Sequence, residues 1–205
     1  MSSQETRTRL LETALDLIWQ SSYNSVGVNE ICKHAGVTKG SFYHHFESKA
    51  ALFCEASEYS WQSTKKEVDE IMSPQNPPLE QLKLYLRFIF VHKFGEAKGT
   101  AGGCSYTSSV VHLGCDDESI AETQRSMLNK AIVYNAALIR TLQSNGFLEA
   151  VGDEVRVARL FSQYIHGIVS FARVDNDFSI IKGDMAEGSF RILGLKREYW
   201  FNPFD

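Results

Sequence analysis

Between Val28 and Lys49 the chain reads VNEICKHAGVTKGSFYHHFESK, and this stretch gathers groups suited to holding a polyanion. Thr38, Lys39, Gly40, Ser41, Tyr43, His44 and Lys49 supply two ammonium groups, three hydroxyls, an imidazole and a position with no side chain. A helix start carrying a cation, hydroxyls and small residues suits phosphate oxygens and the base edges of a DNA groove. Phe42 and Phe46 interrupt the polar groups and read as anchors. Cys104, after Gly102 and Gly103, is the other group with reactive potential, because a helix start favours its thiolate; a buried packing thiol is the alternative. A Cys104 nucleophile with His112 or His166 as base is chemically conceivable, yet no oxyanion-forming motif accompanies it. His112-x-x-Cys115 lacks the paired short spacings of a structural zinc site. No catalytic residue, metal or cofactor is therefore expected.

The elements that must position the polar groups follow from apolar spacing. Val28, Ile31, Cys32 and Ala35 share one face of a helix over 28–35. Gly36 tolerates positive φ and ends that helix, Val37 packs into the angle, and Thr38 can cap the next helix, which runs to His45. The arrangement is a helix-turn-helix. Upstream, Leu10, Leu11, Ala14, Leu15 and Ile18 form the stripe of a helix from about Thr6 to Gln20, completing a three-helix head. Arg7 and Arg9 at its start either reach phosphate or are solvated terminal charges.

The segment resembles the DNA-binding region of the TetR family of bacterial regulators. Ile31, Ala35, Gly36, Val37, Thr38, Gly40, Phe42, Tyr43, Phe46 and Lys49 stand at that family's fixed offsets, covering roughly the first quarter of the chain. The family usually has Gly at the place of Ser22 and Thr at the place of Val26, so one hydroxyl contact to phosphate is missing here. Gly27 is an acceptable N-cap, and Glu30 could bond back to it. The resemblance implies a homodimeric regulator of operator DNA, a repressor released by a small-molecule effector. It divides the chain into a DNA-binding domain at 1–48 and a helical effector-binding and dimerisation domain at 49–205. In one subgroup of the family a Gly-Cys at the place of Cys104 goes with repressors switched by electrophiles or oxidants. A thiol sensor on the same fold is thus one alternative, and a cysteine-dependent enzyme is the other.

Charge is distributed to match. The chain has 205 residues and a net charge of −4, while residues 1–50 carry five basic and five acidic groups, so the remainder holds the whole excess. From Lys33 to Lys49, three lysines and three histidines meet only Glu47. That pattern reads as a DNA-binding head on an acidic body, with modest non-specific affinity. No apolar run approaches the roughly 20 residues needed to cross a bilayer. Met1-Ser2-Ser3-Gln4 leads directly into a charged amphipathic helix, unlike a signal peptide. The four cysteines are scattered, as reduced thiols are. No membrane partner and a cytoplasmic location are expected.

The body reads as all-α. A helix from Ser48 to about Met72 precedes the break Ser73-Pro74-Gln75-Asn76-Pro77-Pro78, and further helices lie near 79–95, 118–144, 153–174 and 180–194. The resemblance places an apolar or aromatic effector between the connecting helix and the body, which would move the head as a lever. Trp61, Phe88, His92, Cys104, Tyr106, Tyr134 and His166 are the candidate lining, with Phe94 and His112 in the same pool. It also assigns the last two helices to the dimer interface, with Phe161, Ile165, Ile168 and Phe190 as candidates and Phe161 and Ile165 at its centre. Such an obligate interface buries on the order of 2,000 Å² or more. The segment Tyr199 to Phe204 is too aromatic to stand in water and docks on the body or on the partner.

Overall fold

The computed structural model describes residues 2–20, 23–94, 117–149, 152–172 and 177–205. Among them are eight α-helices: α1 (Ser3–Gln20), α2 (Val28–Ala35), α3 (Lys39–His45), α4 (Lys49–Ile71), α5 (Pro78–Phe94), α6 (Glu118–Ser144), α7 (Glu154–Phe171) and α8 (Phe178–Leu193). A short 3₁₀ turn follows at Arg197–Tyr199. The described residues form no strand, only an isolated antiparallel bridge between Leu148 and Leu195. The fold is all-α, as expected. None of the described helices is long and apolar enough to cross a membrane.

Helix ends fall where local chemistry satisfies the exposed backbone groups. α1 begins earlier than its apolar stripe suggests, because Ser2 and Glu5 form a reciprocal capping box: Glu5 N–H donates to Ser2 Oγ at 3.2 Å and Ser2 N–H to Glu5 Oε2 at 2.8 Å. Ser48 caps α4 by accepting from Ala51 N–H at 3.0 Å. Pro78 sits at the first position of α5, where its missing N–H costs nothing. Asn76 closes the end of α4, its amide donating to the carbonyls of Glu70 and Ile71. Asp153 and Asp177 cap α7 and α8, each accepting from two backbone N–H groups.

The chain divides into two compact units. The first spans Met1–Lys65 together with Cys104–Met127. Its core joins Leu10, Leu11, Ala14 and Ile18 of α1, Ile31, Cys32 and Ala35 of α2, and Phe42 of α3. Phe46, Leu52, Phe53, Ala56 and Ile120 belong to the same core, so this unit reaches well beyond residue 48. Burying each such Leu, Ile or Phe contributes about 1.5–3 kcal/mol, so Leu52, Phe53 and Ile120 add materially to the core of this unit. Val26 is buried here as well, which accounts for an apolar residue where a hydroxyl was expected.

The second unit spans Lys66–Gly103 and Leu128–Asp205. Leu82, Leu86, Ile89 and Phe90 of α5, Leu138, Ile139 and Leu142 of α6, and Ala158, Phe161, Ile165 and Val169 of α7 are all buried. So are Ile181, Met185, Phe190 and Leu193 of α8. The aromatic C-terminal segment docks on this same chain. Trp200 Nε1 donates to the Leu195 carbonyl at 2.8 Å, Phe201 packs on Phe190 at 5.0 Å between ring centres, and Phe204 on Phe90 at 5.1 Å. The Arg87 guanidinium donates to the carbonyls of Pro203 and Asp205 and holds the segment down.

Candidate nucleic-acid interface

α2 ends at Gly36, whose φ of 61° lies in the left-handed region where any Cβ is strained. Val37 N–H then donates to the Cys32 carbonyl at 2.9 Å, closing the turn. The Thr38 hydroxyl accepts from Ser41 N–H at 3.1 Å and opens α3. Phe42 is fully buried and fixes the roll of α3, with Tyr43 edge-on to it at 5.1 Å. That roll leaves Thr38, Lys39, Gly40, Tyr43 and His44 exposed and Ser41 half-buried on one outward surface. Lys39 has no carboxylate partner among the described residues. The His44 and His45 rings meet at 5.1 Å, and His45 packs towards Phe46.

Gly40 is informative because nothing inside the protein requires it. A Cβ placed there meets only Thr38 Oγ1, at 3.8 Å, an ordinary contact. Glycine nevertheless costs a helix up to about 1 kcal/mol relative to alanine.

Three other groups sit differently from what the spacing suggests. The Lys49 ammonium donates to the carbonyls of Tyr23 at 2.9 Å and Val26 at 3.1 Å and lies 4.0 Å over the Tyr23 ring, so most of its donors fasten the loop before α2 rather than face solvent. Arg7 pairs with Glu55 and lies 5.3 Å over the Phe46 ring, which ties α1 to α4. The Glu30 side chain is exposed and does not bond back to the Gly27 N–H; the α2 start rests on backbone bonds, with Glu30 and Ile31 N–H donating to the Gly27 carbonyl at 3.0 and 3.1 Å. Arg9 remains beside the turn, its guanidinium 4.0 Å from the Cβ position of Gly36. Cys32 is a core thiol, pushed up in pKa by burial.

The expected effector residues scatter. Trp61 belongs to the first unit, whereas Phe88, His92, Tyr134 and His166 belong to the second. Cys104, Tyr106 and His112 lie outside the described residues. Within the second unit, Phe88 stacks on His92 at 5.1 Å and on Tyr85 at 6.2 Å. The Tyr134 hydroxyl donates to Asp69. A polar chain missed from the sequence lies beside that stack in the fold order. Tyr85 donates to Asn135 Oδ1 at 2.8 Å, Asn135 Nδ2 to Ser162 Oγ at 2.9 Å, and Ser162 to the Ala158 carbonyl at 2.9 Å. His166 Nδ1 lies 2.7 Å from the Ser162 carbonyl. The available signal was Asn135 itself, a polar residue on the same helical stripe as Leu138, Ile139 and Leu142. Burial, with a smaller contribution from Lys93, pulls the His92 pKa down to about 4. His92 is therefore neutral at pH 7, while the unfolded chain takes up its proton near pH 6.5. Stability is full above that value and falls as pH drops towards 4. Melting temperature followed from pH 7 to pH 4.5 should decline less steeply in His92→Phe than in the wild type.

Of the dimer candidates, Phe161, Ile165 and Phe190 are buried by the chain itself, at 1%, 6% and 2% exposure, and Ile168 is half-buried. α7 has two apolar faces, and periodicity does not say which one the chain keeps. The outward face holds Tyr164, Gly167, Ile168 and Phe171, which with α8 line an open groove of about 550 Å³. Phe171 is 65% exposed, and Val155, Leu160 and Ile180 on the same two helices are also exposed. The Tyr164 hydroxyl donates to the Asp184 carbonyl at 2.6 Å, and its ring occupies the space over Gly188, where a Cβ would fall 1.9 Å from the hydroxyl oxygen.

An exposed polar helix locked to a preceding helix by a left-handed glycine defines a DNA-binding head. Residues 10–56 match the model of the bacterial regulatory proteins of the tetR family. The chain is 26% identical to the uncharacterized HTH-type transcriptional regulator YxaF of Bacillus subtilis, over 86% of this chain and 89% of that one. It is 25% identical to the HTH-type transcriptional repressor NemR of Escherichia coli, over 90% and 92%. A crystal structure of a TetR-family transcriptional regulator from Agrobacterium tumefaciens superposes with a TM-score of 0.81 at 21% identity, covering 93% of this chain and 98% of that one. Residues 10–56 thus carry the DNA-binding segment of the tetR family of bacterial regulatory proteins, and the chain is similar over most of its length to DNA-binding transcriptional regulators.

Proposed function

We propose that the chain is a repressor that grips operator DNA as a homodimer, α3 of each copy lying in the major groove of one half-site. Lys39, Ser41 and His44 face base edges, and Tyr43 with the Thr38 start of the helix faces phosphate. Arg9 joins the phosphate set from beside the turn. Lys49 supports the head from within, and its contribution to phosphate is secondary. The observation that carries this reading is Gly40, a glycine on the exposed face of a short helix whose missing side chain leaves space only outside the protein. The name of the relative NemR supports the sign of regulation.

The outward face of α7 and α8 is the interface in this reading, with Ile168 and Phe171 towards its centre. An apolar or aromatic effector is released or held in the second unit. The Tyr85, Phe88 and His92 rings offer it stacking faces, and the Tyr85–Asn135–Ser162 chain offers a few fixed polar groups. Such a ligand empties the operator only to the extent that it favours the dimer state whose heads are mis-spaced.

Gly40→Ala tests the DNA face. The variant should melt no lower than wild type, and up to about 1 kcal/mol of added helix stability is expected. Its affinity for operator DNA should nevertheless fall by at least about tenfold, read by fluorescence anisotropy, since a methyl group then stands between α3 and the groove. An unchanged affinity in the folded variant removes α3 from the interface.

A further inference from the structure

A second groove in the second unit, about 580 Å³, opens between α8 and the docked C-terminal segment. Phe190, Trp200, Phe201 and Phe204 wall it, and Lys182 and Arg197 reach into it. Its size falls within the range of small-molecule sites. The walls are braced by their own ring contacts, Phe190 on Trp200 at 5.4 Å and on Phe201 at 5.0 Å. The Arg197 guanidinium lies 3.8 Å over the Trp200 ring, and the Lys182 ammonium 5.0 Å from the Phe90 centre and 5.6 Å from that of Phe204. A guanidinium held against a ring by its carbon keeps N–H groups available to fork onto a carboxylate.

Neither cation has a carboxylate partner among the described residues. The acid at the groove rim, Glu187, is already held by Arg191 at 2.6 and 2.9 Å. Two uncompensated cations set among aromatic walls select one ligand chemistry.

We propose that this groove binds an aromatic carboxylate, its anion between Lys182 and Arg197 and its ring against Trp200 and Phe201. The site is separate from the stacked rings at Phe88 and does not depend on the effector reading above.

Isothermal titration of the full-length protein with 2-naphthoate tests it, with 2-naphthylmethanol as the neutral isostere. Saturable binding of one naphthoate per chain is expected below about 1 mM, with the alcohol at least about tenfold weaker. Lys182→Met and Arg197→Gln should each lose about tenfold for naphthoate while keeping the melting temperature and the DNA affinity of the wild type. Absence of wild-type binding, equal binding of acid and alcohol, or unchanged affinity in both folded variants overturns the proposal. A second copy of the chain seated in the groove would also overturn it, and would appear as a fall in oligomer mass for Lys182→Glu. Failure of any of these leaves the Gly40→Ala result untouched, so the two readings are judged apart.

Discussion

Ile168→Glu is expected to turn a dimer into a folded monomer. Ile168 sits half-buried at the edge between the buried stripe of α7 and its outward face, where it lines the groove with Tyr164, Gly167 and Phe171. In a two-fold interface the substitution enters twice, so two carboxylates are driven into one apolar contact. Stranding a charge without a partner costs about 3–5 kcal/mol, enough to raise the dimer dissociation constant by well over a hundredfold. Because the monomer keeps its core, melting should stay cooperative while sedimentation equilibrium at micromolar concentration reports half the mass. Operator affinity should fall by about 10²–10⁴, the gain that linking two half-site contacts ordinarily supplies. A variant that sediments as a dimer moves the interface elsewhere.

Phe161→Ala should do the opposite. Its ring is 1% exposed inside the second unit, packed with the buried stripe Ala158, Ile165 and Val169. Removing it leaves a cavity and should cost about 3–5 kcal/mol of unfolding free energy. For a chain of this size that corresponds to a melting temperature lower by roughly 10 °C. The surviving folded protein should keep wild-type mass and bind DNA normally at low temperature. Had Phe161 been the interface centre, mass and DNA affinity would fall together with stability.

These two residues show where sequence reading was strong and where it lost resolution. The helix-turn-helix was legible because each of its constraints is local. Gly36 answers a positive φ, Thr38 answers an unpaired N–H, and the 31/32/35 and 42/46 spacings answer a single core. Helix α6 was equally legible from periodicity alone, matching 118–144 end to end. The α7 stripe reads as apolar, but a 3.6-residue period looks the same whether the covering surface is the chain's own or a second copy, and only the fold shows Phe161 and Ile165 buried within the chain. Lys49 illustrates a related gap: its offset fits a phosphate ligand, yet only the fold reveals the two carbonyls that occupy its donors. The Tyr85–Asn135–Ser162 chain joins three helices far apart in sequence, and no local pattern announces a hydrogen bond across 50 residues.

The central claim is that two copies of α3, held by the α7–α8 face, read one operator. Selection of bound duplexes from a randomised pool, followed by hydroxyl-radical footprinting of the winning sequence, tests it most directly. The account predicts a palindromic site protected by two copies, with half-site centres about 34–36 Å apart or a multiple of that spacing. It further predicts that Ile168→Glu and Gly40→Ala each abolish the footprint at concentrations where wild type saturates it. No enriched sequence, or a non-palindromic site protected by one copy and indifferent to both substitutions, would contradict it.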